Sequence, residues 1–554
     1  MFNNFQSYTM TNNIFKLTFI TIAASAVIIV GCKKSFLETS NPNQLTEDKF
    51  WKTEADVKSA VASVYSPMRL PLSGYWGAFR GYQDINALGD DVLTIPGGEP
   101  STTQVAYFIN DAKNGDIQDI FSKLYSAIYR ANLVIENAGK ANLDATLTKS
   151  YQAEAKFLRG LSYFLLASNF GDVPLKTTVA QSSEDAFIPA SPMATVYQQA
   201  IKDFTESAGD LPVTRPAGDK GRITQGAVYA FLGKAYLYIK DYGKAESTLA
   251  KLLTAPYDYD LVSNFEDNFT DKKEFNKESV LEWVYGPYNS QYSPWNEESG
   301  GNAMYNYRPQ LTGSPASGGW FKYIPSQFLV KEFKKELRPG GSDTKFDKRM
   351  YATLMWKYSD FGETDATWYD NKSFDALWAA AATSIDRFEP IYKNFSEGKF
   401  LNKKFTSAWR DANGGDNYWS AVPSTANVEV MRFAEVLLLH AEAALLNNHP
   451  DIALQSINRI RQRAGLTTKV AADFPAAADL MNELRHQKLL EFYFEQNRWN
   501  DLKRWFPAAA DLKAYMASHL KQGADKVESK HYIFPIPAAE LQTNNKLTQN
   551  PLWK

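Results

Sequence analysis

The chain is 554 residues long, and its 60 Lys and Arg against 62 Asp and Glu leave a formal net charge of -2. Near neutrality excludes the basic field on which nucleic-acid binding depends, and any basic stripe for a second membrane contact. One cysteine among all these residues excludes an internal disulfide and a multi-cysteine zinc site, so the body must rest on packing.

The first element in the chain is a leader. Leu17 to Val30 (LTFITIAASAVIIV) is uncharged and apolar, preceded by Lys16 and followed by Lys33 and Lys34. At about 14 residues the run is short of the roughly 20 that a membrane helix needs, and it has the layout of an export signal. Met10 offers an alternative start, since MTNNIFK makes a more ordinary charged opening. The run ends in Ile29-Val30-Gly31-Cys32, which resembles a bacterial lipobox, whose cysteine is acylated and becomes the first residue of the mature protein. Two or more acyl chains anchor stably where one does not. A buried free cysteine or an ordinary secretory cleavage are the competing readings, and the flanking composition favours the lipobox.

Residues 1–31 are thus expected to be the lipoprotein signal peptide and 32–47 a lipidated tether ending in the turn formers SNPNQLTED. A capped helix is expected from about Asp48, opening a helical scaffold over 48–255. Within it, Phe157, Leu161, Phe164 and Leu165 repeat at three- and four-residue steps, and Gly171 and Pro174 supply the stop. Tyr229, Leu232, Gly233, Tyr236, Ala245 and Leu249 fall at tetratricopeptide spacing, with Pro256 one residue early. Gly233 and Ala245 would remove side chains where two helices touch. A second unit fits at Leu437, Ala441, Ala444, Ala453 and Ile457, and a third half-fits at Ala200, Phe204 and Pro212, its first helix lying before the long loop. Chance recurrence of small residues explains any one unit, but three together favour a repeat.

Between 256 and 427 glycines, prolines and aromatics replace the helical pattern, forming a loop-rich insert. Eight of the 13 tryptophans fall there: Trp283, Trp295, Trp320, Trp356, Trp368, Trp378, Trp409 and Trp419. From 283 to 323 the rings, including Tyr285, Tyr292, Trp295, Trp320 and Tyr323, alternate with Asn, Ser, Gln and Gly rather than Leu or Val. Exposed rings of this kind stack on the C–H faces of pyranose sugars, while amides and carboxylates take the hydroxyls. GYWGAFRGYQD (Gly74–Asp84) is a second such patch, holding Trp76, Arg80 and Asp84. Core packing is the competing role for each ring taken singly.

Helical periodicity returns from 428 to 506, within a C-terminal helical segment and tail over 428–554. In LLEFYFEQNRWNDLKRW, read as one helix, Glu495, Arg498 and Asp501 would be the candidate active site of a functional reading. An ion network pinning the last helix, with Glu491 included, accounts for the same charges better. Trp499 and Trp505 are expected to be core. No H-E-x-x-H, G-x-S-x-G or P-loop occurs, so no catalytic residue is assigned. RPGGSD and TIPGGEP read as turns, without the helix start a phosphate cradle requires. DANGGDN (Asp411–Asn417) lacks the sixth-position glycine and twelfth-position glutamate of a calcium loop, and reads as a loop tip. A glycosidase needs only two carboxylates, so spacing leaves that class open. A helical-repeat adaptor binding protein through its groove stays open too.

Five stretches in order resemble the SusD/RagB outer-membrane lipoproteins of the Bacteroidetes. They are LTEDKFWKTEADVKSAVASVYSPM, AEAKFLRGLSYFLLASNFGDVPL, MRFAEVLLLHAEA with INRIRQRAGL, EFYFEQNRWNDLKRW, and the terminal HYIFPIPAAELQTNNKLTQNPLW. One departure is Gln487-Lys488, where the family usually reads Glu-Arg, which would weaken one scaffold ion pair. The resemblance implies a mainly α fold, a tetratricopeptide-like scaffold of helix pairs carrying the aromatic insert. It also implies an outer-membrane protein, lipid-anchored through Cys32 and facing the cell exterior, that binds a glycan and delivers it to a SusC-like TonB-dependent transporter without cleaving it. A peptide is the alternative ligand in the RagB type. No cofactor or metal is implied. The family's ligand cradle comes from the segment after the first helix and from the central insert, which places Trp76, Arg80, Asp84, Tyr292, Trp295 and Trp320 as the expected contacts.

Overall fold

A computed structural model describes residues 50–69, 93–94, 100–286, 306, 308–309, 313, 323–340, 344–363, 374–375, 400–406, 426–495 and 498–554. Cys32 and the lipobox lie outside the described residues. Contacts divide the chain into Met1–Lys52 and Thr53–Lys554, and every helix below belongs to the second unit. Among the described residues no helix is long and apolar enough to cross a membrane.

The first helix, α1 (Glu54–Arg69), starts six residues later than Asp48. The start is set by a reciprocal cap: the Asp56 amide donates to Thr53 Oγ1 at 3.3 Å, and the Thr53 amide donates to the Asp56 carboxylate at 2.8 Å. That pairing satisfies two amides that a helix start otherwise leaves open. Seven further helices form the scaffold: α2 (Gly115–Asn137), α3 (Ala145–Phe170), α4 (Met193–Ala208), α5 (Gln225–Tyr238), α6 (Tyr242–Ala250), α7 (Phe433–Leu446) and α8 (Pro450–Arg463). Each packs on the next in this order, α6 on α7 included, and α9 (Ala477–Glu491) follows on α8. The stack therefore ignores the roughly 180 residues of insert between α6 and α7, as solenoids do when loops project from repeats.

The small residues act where the spacing put them. A Cβ on Gly233 would meet Leu249 Cγ of α6 at 2.5 Å, and Ala245 is fully buried. In the α3–α4 pair Gly160 has the same role, its notional Cβ falling 2.9 Å from that of Asp203. Ala200 and Phe204 are buried in that contact, so the third unit is a full pair whose first helix is α3. Helix α3 stops at Gly171, whose φ of +72° suits glycine and whose amide donates to the Ala167 carbonyl.

Three readings are corrected. Residues 428–432 are not helix: β2 (Val428–Arg432) pairs antiparallel with β1 (Ser279–Trp283), which satisfies the backbone of a segment buried on both sides. The stretch LLEFYFEQNRWNDLKRW is not one helix either. Helix α9 ends at Glu491, and α10 begins at Arg498 and runs to Trp505. Phe494 has a φ of +58°, a left-handed backbone that a right-handed helix cannot run through, and Phe492, Tyr493 and Phe494 are all buried in the break. Finally, TIPGGEP is followed by a helix, Pro100–Ala106, which starts on proline at its first position as that residue favours. Its Ser-Thr-Thr-Gln sequence carries no apolar period, so the pattern hid it.

Candidate ligand-binding site

The two aromatic patches spring from one place. Segment 70–92 leaves the scaffold at Arg69, the last residue of α1. Segment 287–322 leaves just beyond the end of β1. Arg69 Nη1 donates to the Val284 carbonyl at 2.8 Å, and the Tyr285 hydroxyl donates to the Arg69 carbonyl at 3.1 Å. The Arg69 guanidinium also stands 5.5 Å over the Tyr285 ring. The far ends are joined as well, since Leu93 and Thr94 pair antiparallel with Pro325 and Ile324. The described residues that flank the two segments are thus joined to each other on both sides.

Under the first clasp lies a cavity of about 300 Å³, walled by α1, the 220–222 loop and the end of β1. Lys58, Tyr65, Arg69, Arg222 and Trp283 line it. Trp283 is 1% exposed and meets Tyr65 edge-to-face at 6.1 Å, so its indole builds the wall and offers no stacking face. The Tyr65 hydroxyl donates to the buried Glu154 carboxylate and accepts from the Ile223 amide at 3.0 Å. Burial and the Glu154 charge push the Tyr65 phenol well above its usual range. Glu154 is held in turn by Arg222 at 2.6 Å and Arg215 at 3.4 Å. The constellation fixes the loop to the scaffold. It contains no nucleophile beside a base, and among the described residues no group of His, Cys, Asp and Glu could hold a metal ion.

Glu282 faces this cavity from β1, and its register partner on β2 is Glu429. Like charges directly opposite on a sheet repel, more so when buried. Glu282 accepts from the Phe275 amide and from Asn427 Nδ2, both at 2.8 Å, while Glu429 Oε2 has no hydrogen-bond partner. Burial first and Glu282 second push the Glu429 carboxyl well above its ordinary value. The folded protein therefore holds a proton that the unfolded chain releases above about pH 4.3. Stability from this group is present at low pH and falls as pH rises toward the folded value. Glu429→Gln is neutral at every pH and should flatten that fall. Urea unfolding at pH 5 and pH 8 should show the variant losing less stability than the parent over the interval. Equal losses in both proteins would refute a shared proton here.

All six expected ligand contacts, Trp76, Arg80, Asp84, Tyr292, Trp295 and Trp320, lie outside the described residues, as do Trp368, Trp378, Trp409, Trp419 and the Asp411–Asn417 loop. The rings at the ends of the insert run are core: Tyr285 and Tyr323 are buried like Trp283, and so is Trp356 deeper in the insert. Arg69 was passed over in the sequence. Its signal was its place, a cation in the last helical turn before an aromatic patch.

The charged residues near α9 and α10 form a buried network. Arg432 binds Glu495 at 2.7 Å and Glu491 at 3.0 Å and reaches Glu278; Arg463 and Arg349 also hold Glu491, and Lys404 holds Glu495. Burial alone would raise the Glu491 carboxyl, but Arg463, Arg432 and Arg349 outweigh it and hold it well below the carboxylate range. Burial pushes Lys404 down to about 8. Asp501 binds Lys488 and Arg504, each at 2.6 Å, and Arg498 donates to the Tyr515 hydroxyl at 2.8 Å. At the unusual pair, Gln487 accepts from Arg349 at 2.7 Å and donates to Glu483 at 2.9 Å, so a hydrogen bond remains where a carboxylate would make an ion pair. Lys488 keeps its charge pairing with Glu442 and Asp501.

Comparison with known families matches residues 277–553 to the SusD family, and residues 35–237 to a family described as starch-binding and associating with the outer membrane. A SusD-like protein of Formosa agariphila is 26% identical over 558 residues, covering 97% of this chain and 99% of its own. The starch-binding protein SusD of Bacteroides thetaiotaomicron is 22% identical over 434 residues, 74% of this chain and 73% of its own. The crystal structure of a SusD superfamily protein from Bacteroides vulgatus superposes with a TM-score of 0.75 at 28% identity, covering 91% of this chain and 100% of that one.

Proposed function

Because the chain belongs to the SusD family, we propose that it is a cell-surface glycan receptor that captures oligosaccharide and passes it intact to a SusC-like TonB-dependent transporter. The observation that carries this reading is the double clasp: the described residues flanking two stretches rich in tryptophan and tyrosine are joined to each other at both ends. Loops on a rigid scaffold are the usual seat of binding, and the faces of tryptophan and tyrosine rings stack on sugar. A starch-binding relative supports a glycan as the ligand.

The signal-less protein on a glycan array should bind oligosaccharide saturably, with quenching of tryptophan fluorescence and no new reducing ends. Trp76→Ala, Trp295→Ala and Trp320→Ala should each weaken binding by roughly 0.5–1.5 kcal/mol with little change in stability. Released reducing ends would make it a glycosidase, and binding of peptide alone would replace the sugar as ligand.

The anchor is Cys32. Cys32→Ala should move the protein from the outer-membrane fraction to the soluble fraction with its fold unchanged. Persistent membrane association, or a mature N-terminus other than Cys32, would refute acylation.

A further inference from the structure

A second groove, sharing no lining residue with the first cavity, opens between the helix Gln327–Lys334, α9, α10 and α11 (Ala509–Ser518). At about 740 Å³ it falls within the roughly 300–1,000 Å³ typical of small-molecule sites. One wall is a row of half-buried rings. Phe328 stacks on His519 at 3.5 Å between centroids, Tyr515 meets His519 edge-on at 4.2 Å, and Phe506 packs on Tyr515 at 4.5 Å.

The charges around the groove are unevenly satisfied. Each lining carboxylate is engaged: Glu332 binds Lys335 and His486, and Glu483 binds Arg461 at 2.6 Å. Asp473 and Asp479 accept the amides of Val470 and Ala476 at 2.8 and 3.0 Å. Arg485 differs. Among the described residues its side chain makes no hydrogen bond or ion pair, and its Nε is buried without a partner. The guanidinium rests 5.2 Å from the Trp505 ring and 5.5 Å from Phe506. Glu442 attracts it from a distance, but that carboxylate already binds Arg504, Lys488 and the Trp505 indole at 2.8, 3.1 and 2.9 Å. Burial, with Arg498 and Arg504 nearby, holds Arg485 below the usual arginine range. A half-buried cation without an anion is costly, and the cost is relieved by a ligand that supplies one.

We propose that this groove binds an acidic sugar, whose carboxylate or sulfate pairs with Arg485 while its ring lies against the row from Phe506 to Phe328. A guanidinium fork on an aromatic shelf matches the planar, bidentate geometry of a carboxylate or sulfate edge. Flanking rings supply the apolar face that a pyranose needs. The saccharide in this assignment rests on the proposed function; the anion rests on Arg485 alone.

The mature lipoprotein in detergent should be titrated with trigalacturonate, with a sulfated carrageenan tetrasaccharide and with neutral maltotriose, following tryptophan emission. At least one acidic probe should saturate, and which one does identifies the anion. Arg485→Gln should weaken that probe at least tenfold, and Arg485→Lys, which keeps the charge and the shelf but loses the fork, should fall between. Thermal melts check both variants, and the lysine form carries the test if the glutamine form does not fold. A Trp76→Ala/Trp295→Ala/Trp320→Ala protein should bind the acidic probe unchanged. The proposal is overturned if neither acidic probe binds, if both Arg485 variants bind as the parent does, or if the triple ring variant loses the probe. Failure of the glycan reading itself looks different: no sugar, neutral or acidic, binds anywhere on the array.

Discussion

Arg432→Ala should destabilise the protein by roughly 3–5 kcal/mol, because it strands buried carboxylates. Arg432 stands among Glu278, Glu491 and Glu495, and the side chains of all four are nearly or fully excluded from water. Arg349, Arg463 and Lys404 remain after the substitution, but Glu495 then depends on Lys404. The measurement is the urea midpoint, with Arg459→Ala as the control. Arg459 also makes a 2.7 Å ion pair, to Asp260, but both partners are well exposed, and such pairs contribute about 0–1 kcal/mol. Because Glu491 is held low, its contribution is complete above about pH 4.3 and is lost as pH falls through the folded value. A loss for Arg432→Ala no greater than that for Arg459→Ala would show that the network does not pin the scaffold.

Trp499→Ala should cost about 3–5 kcal/mol as well, through a cavity and not through charge. Trp499 is 3% exposed, packed with Phe108, Leu502, Leu512 and Met516 where α10 and α11 meet. Glycan affinity should be unchanged wherever the variant is folded, the reverse of what the substitutions at Trp76, Trp295 and Trp320 should do. A binding loss at constant stability would place Trp499 in a ligand site. Trp505, expected to be core alongside it, is only partly buried. Its ring forms a shelf under Arg485, Lys488 and Arg498, and its indole N–H donates to Glu442. An i, i+3 or i, i+4 pattern marks Trp505 as inward-facing, but it does not reveal that inward means cationic here.

The helix pairs were legible because their cause is local. Apolar residues at three- and four-residue steps, with glycine or alanine where two helices touch, specify a face within one repeat, so Gly233 and Ala245 could be placed at a helix contact from spacing, and the structure puts Leu249 against Gly233. The charges of α9 and α10 were legible as a structural network for a similar reason: so many paired signs cannot all be solvated beside so many rings. The leader is an expectation from composition alone, and Leu17 to Val30 lie outside the described residues.

What the tertiary structure alone decided is which distant residues meet. Arg69 reaches Val284 across 215 positions, Glu282 faces Glu429 across a strand pair, and α6 finds α7 past the whole insert. No local period encodes these meetings, because they depend on how a stack of helices closes the distance between its loops. The strand at 428–432 depends on its partner β1, and the break at Phe492–Phe494 on a left-handed backbone at Phe494 (φ +58°), and neither shows in a helical period. Aromatic composition therefore singles out two stretches as expected binding surface, while the fold joins the residues that flank them and leaves Arg485 on its shelf with no anion among the described residues.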